Sequence, residues 1–133
     1  MTEQELIQAF ESTELPVAVF THEMHVRTAW CYLRRDPFPV ALGRFATALR
    51  QYAAAKSLPG LYHETVTVAW MTLINQRLDG AEHLPWESFK AAFPELFARP
   101  SLLLRHYSDE TLRSGRARRM FVLPDRVPDV GMR

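Results

Sequence analysis

Cysteine is almost missing from this chain of 133 residues, where Cys31 stands alone. No intrachain disulfide can form, so nothing calls for an oxidising compartment. Lysine is scarce as well, with Lys56 and Lys90 the only two. No apolar run approaches the roughly 20 residues that span a bilayer. The opening MTEQELIQAF lacks the basic and apolar regions of a secretory signal. A cytoplasmic address is the expectation, with no membrane partner. Net charge is also lacking: at +1 there is no global pull toward nucleic acid or an acidic bilayer. No Gly-rich phosphate loop and no G-x-S-x-G elbow occur, so no nucleotide cofactor is expected.

What is present fits a folded protein. Hydrophobic residues make up 47% and charged residues 23%, enough apolar surface for one domain over 1–133. The periodicity is helical nearly throughout, which predicts an all-α bundle. Residues 1–15 hold an amphipathic helix over 2–11, with Leu6, Ile7 and Phe10 on one face. Val17 to Phe20 has extended character but is too short for a sheet. Three core helices follow, at about 21–35, 40–56 and 61–78. Thr21 is placed to cap the first, Pro37 and Pro39 break the chain before the second, and SLPG precedes the third. Short helices are expected in the last third, with Ser108 as an N-cap, then an extended tail over 120–133.

Three histidines carry the chemistry. His22 and His25 are three apart on one helix face, and His63 opens the third core helix. Helices joined by short turns pack antiparallel, so the first and third run parallel and start at the same end of the bundle. His22, His25, His63 and Glu64 can then converge. Imidazoles in that number are ligands for a divalent transition metal (Zn, Fe, Ni or Cu), and they equally serve proton transfer without one. Two helix N-termini at that end favour an anionic small molecule, which Arg27, Lys56 and Tyr62 would orient. The letters T-H-E-M-H mimic HExxH with one residue too few, so no zincin follows. Read blandly, the same histidines are separate structural or solvated residues.

Other residues point less sharply. Arg27 is set to pair with Glu23 at i,i+4. Trp30 and Trp70 read as core, with a pocket wall as the alternative, Cys31 as an inert buried thiol, His83 and His106 as solvent-facing. The RARR run at 116–119 has no aromatic interleaving, so it reads as a solvated face or a partner for Asp125 and Asp129 rather than a nucleic-acid patch. The acidic opening and the Arg-rich last quarter make the chain dipolar, compatible with a homodimer.

FTHEMHVRTAWCYLRR, the Pro-rich break after it, the stretch from Lys56 through PGLYHETVT and the closing ARRMFVLPD together resemble a group of short, uncharacterised bacterial helical proteins. The resemblance covers most of the chain after residue 19. It implies a small helical protein with paired histidine motifs and brings no activity with it. In architecture alone, converging histidines in a bundle are similar to DinB/YfiT-like metal-binding bundles.

Two functions follow as expectations. One is a small enzyme, metal-dependent or acid–base, using His22, His25, His63 and Glu64 on a small molecule. The other is a non-catalytic ligand-binding or protein-interaction module, docking through the first helix or the Arg-rich segment in its interaction form.

Overall fold

The structure is a computed structural model and describes residues 1–126. Seven α-helices and three short 3-10 turns form its regular structure, and no strand occurs among the described residues. The protein is an all-α bundle.

Helix α1 (Glu3–Glu11) begins with a reciprocal cap. Thr2 Oγ1 accepts from the Glu5 amide at 3.1 Å, and the Glu5 carboxylate accepts from the Thr2 amide at 2.8 Å. Two amides that the first turn leaves open are thereby satisfied. Leu6, Ile7 and Phe10 are buried, and α1 packs on both α2 (His22–Arg35) and α3 (Phe38–Ala55). Its apolar face is therefore covered within the fold rather than offered to a partner. Val17–Val19 forms a 3-10 turn and not an extended segment.

Thr21 caps α2 as expected, accepting from the Met24 amide. Helix α3 starts at Phe38, two residues before the expected Val40, because Pro39 fits a first turn where its missing N–H is no loss. Its far end closes with the Leu58 amide donating to the Ala53 carbonyl at 2.8 Å, while Ser57 takes a left-handed φ of 55°. Helix α4 (Glu64–Leu78) begins three residues later than the expected Leu61. The cause is His63, which is its N-cap: the backbone is extended there (φ −142°, ψ 114°), and Nδ1 accepts from the Val66 amide at 3.2 Å.

The helix order matches the expected arrangement. At one end, His22 and His25 of α2 and Val66 and Trp70 of α4 share a cavity with Phe45 and Leu49 from the middle of α3. At the other end, Leu33 of α2 and Asn75 and Leu78 of α4 border a groove with Phe38, where α3 starts. So α2 and α4 run parallel, and α3 runs against both.

The last third wraps this core. It comprises α5 (Trp86–Ala92), 3-10 turns at Pro94–Phe97 and Leu102–Arg105, α6 (Asp109–Arg113) and α7 (Gly115–Arg119). From Met120 to Arg126 the chain has no regular structure and side chains hold it, while the rest of the expected extended tail, 127–133, lies outside the described residues. Thr65 Oγ1 donates to the Met120 carbonyl at 2.9 Å and accepts from the Val122 amide at 3.1 Å, while Tyr107 donates to the Val122 carbonyl at 2.7 Å. Thr65 is fully buried, so these bonds matter: an unpaired polar group there costs about 1–3 kcal/mol. No helix among the described residues is long and apolar enough to cross a membrane.

Candidate functional site

The three histidines do line one cavity, of about 150 Å³, at the end of the bundle where α2 and α4 begin. The rest of its wall is mainly apolar, with Phe45, Leu61, Trp70 and Ile74 among the lining residues. Among the described residues, no carboxylate, ammonium or guanidinium group is part of that wall.

Each imidazole is held differently. His63 is buried and has both nitrogens committed. Because Nδ1 accepts from the Val66 amide, it carries the lone pair; Nε2 must then carry the hydrogen, and it donates to the Leu112 carbonyl at 2.7 Å. His22 is exposed and donates from Nε2 to the Leu96 carbonyl at 2.9 Å, with its ring 4.9 Å from that of Trp70. His25 is half-buried and lies flat on Phe20. Neither of its ring nitrogens has a hydrogen-bond partner among the described residues. Burial pushes its pKa down from 6.5 to about 4, and the nearby His22 charge pushes the same way. At neutral pH His25 is an uncharged imidazole, with one donor and one acceptor, in the lining of the cavity.

This donor set does not suit the expected divalent metal. His63 would have to give up its cap on the Val66 amide before Nδ1 could ligate. Among the described residues, no three His, Cys, Asp or Glu side chains form a group that could hold an ion.

The remaining expected site residues lie elsewhere. Glu64 accepts from the Tyr62 hydroxyl at 2.5 Å, and Arg50 donates to the same hydroxyl at 3.0 Å. Burial and the Glu64 carboxylate push Tyr62 up to about 12. This trio is away from the cavity wall. Lys56 sits over the Tyr52 ring, 5.6 Å from its centroid. Arg27 reaches the Met1 carbonyl at 3.1 Å and stands 5.9 Å from the Trp86 ring centre. Its expected partner Glu23 pairs instead with Lys90 at 2.9 Å. The cations meant to orient an anion are thus off the site.

Sequence reasoning missed what shapes the cavity. Phe20 backs His25, and Trp70 is a wall residue rather than core, while Trp30 is buried as expected. Arg118, from the RARR run, donates to the carbonyls of Gly60 and Tyr62 at 3.0 and 3.1 Å. It thereby holds the loop that carries Leu61 and His63. Asp125, expected to pair with that run, instead accepts from Ser108 and Thr111, which hold its carboxyl down to about 2. Asp129 lies outside the described residues. His83 is exposed, and His106 is half-buried beside Tyr107. No family model matches this chain, and no curated protein or solved structure is significantly similar to it.

Proposed function

We propose that this protein binds a small organic molecule in the three-histidine cavity, without a metal, and engages it through the neutral imidazole of His25. The observation that carries this reading is the pairing of an apolar cavity with one imidazole in its wall that has no hydrogen-bond partner among the described residues. Pockets for small molecules are apolar with a few placed polar groups. A base works best with a pKa near the working pH. At about 4, His25 is a weak proton acceptor but a sound hydrogen-bonding group.

A second reading keeps proton transfer. His22 stands close enough to His25 for its charge to act on it, and it is exposed. The pair offers a route for a proton between cavity and solvent, which an acid–base enzyme would use.

Ligand-observed NMR with a panel of small organic molecules tests the binding reading, comparing wild type with Ala29→Leu. Ala29 is buried in the cavity wall, so a leucine there takes up part of the space. Binding by the wild type and loss in the filled variant is the expected result. No binding by the wild type, or binding that filling leaves unchanged, overturns it.

A further inference from the structure

We infer that the ligand is an uncharged molecule the size of a single six-membered ring, carrying one hydrogen-bonding heteroatom that meets the edge of His25. This deepens the binding reading above and rests on it. Three observations lead to it.

Size comes first. A cavity of about 150 Å³ matches the engineered apolar cavity known to take benzene, and it is well below the roughly 300–1,000 Å³ of drug-sized sites. Nucleotides, oligosaccharides and peptides are too large to be enclosed here.

Charge comes second. Burying an ion without a partner is costly, and among the described residues the wall offers neither a guanidinium nor a carboxylate. Arg50 and Glu64, beside the His63 end of α4, are occupied with Tyr62. Both nitrogens of His63 are taken. An anion or a cation would enter with nothing to neutralise it.

The third is the one polar contact on offer. Phe20 covers one face of the His25 ring, with centroids 3.7 Å apart, which leaves the other face and the nitrogen-bearing edge. A neutral imidazole both donates and accepts, so it recognises a hydroxyl, a carbonyl or a ring nitrogen. The indole of Trp70 and the ring of Phe45 offer apolar walls for the rest of the molecule.

The test titrates the full chain at pH 7 with benzene, phenol and benzoate, read by NMR, in the wild type and in His25→Leu. Phenol is expected to bind roughly fivefold more tightly than benzene in the wild type, the worth of one hydrogen bond. That preference should vanish in His25→Leu while benzene still binds. Benzoate should be at least about tenfold weaker than benzene. The three-ligand comparison on the wild type stands even if the variant fails to fold. A phenol preference that is absent, or that survives His25→Leu, overturns the inference. Benzoate as the best ligand overturns it too, while leaving a small-molecule site in place. If none of the three binds, the site itself falls, and the inference with it.

Discussion

The ring of His25 is stacked on Phe20 at a centroid distance of 3.7 Å and an interplanar angle of 20°. The contact makes His25 part of the hydrophobic core on one face and part of the cavity on the other. Burial there makes protonation costly, and the nearby His22 charge adds to the cost.

Acid should therefore weaken the fold in a defined window. The His25 pKa falls from 6.5 in the unfolded chain to about 4 in the folded one. Between those values the unfolded state binds more protons, so stability is complete above about pH 6.5 and declines as pH drops toward 4. Below 4 this contribution is fully lost and the curve levels. The size is up to roughly 3 kcal/mol. Denaturant melts from pH 4 to 7 check it, with His25→Gln expected to flatten the slope. An unchanged slope in that variant would assign the acid sensitivity elsewhere.

His63 should prove structural rather than metal-binding. Its two hydrogen bonds cap α4 and tie the 63–66 turn to Leu112. His63→Ala removes both and is expected to cost about 1–3 kcal/mol. His63→Asp restores a cap but not the Leu112 bond, so it should recover part of that loss. Elemental analysis of purified wild type should show no stoichiometric transition metal. One equivalent of metal that disappears in His63→Ala would contradict this assignment.

Cys31 should be nearly inert in the folded protein. Its side chain is fully buried, and burial pushes the thiol up to about 12 from 9.0. Three units mean about a thousandfold less thiolate at a given pH. Reaction with a disulfide reagent should then wait for unfolding. Fast labelling in native buffer would mean that α2 opens readily.

Ser57 is a place to gain stability. It holds a left-handed φ of 55° at the end of α3, a conformation that suits glycine. Ser57→Gly should raise stability by about 0.5–1 kcal/mol, seen as a higher Tm. A lower Tm would show that the serine side chain contributes something the backbone geometry does not.

Much of this fold was legible in the chain. The apolar stripes of α1, α2 and α4 set the buried faces, and the breaks at 36–39 and 57–60 are short enough to force α3 back between its neighbours. That alone brought His22, His25 and His63 to one cavity. What the stripes could not convey was the use of each nitrogen. His63 is followed by the ordinary helix-forming run ETVTVAW, so an imidazole serving as N-cap looked like a first-turn residue. Glu64 is adjacent to His63 in sequence but turns toward Tyr62 and Arg50, because neighbouring positions on a helix do not share a face. The partners from the last third, Leu96, Leu112 and Arg118, lie in short irregular elements, where periodicity carries no signal.

The clamp that Arg118 places on the Gly60 and Tyr62 carbonyls has a consequence for how the protein comes into being. The wall it steadies belongs to the middle of the chain, yet the residue that steadies it is added nearly sixty positions later. The bonds from His22 to Leu96 and from His63 to Leu112 have the same asymmetry. A nascent chain on the ribosome can thus assemble α1 to α4 around their shared core well before the cavity takes its finished shape. The proposed ligand site would take its shape only after Leu96, Leu112 and Arg118 have joined the chain.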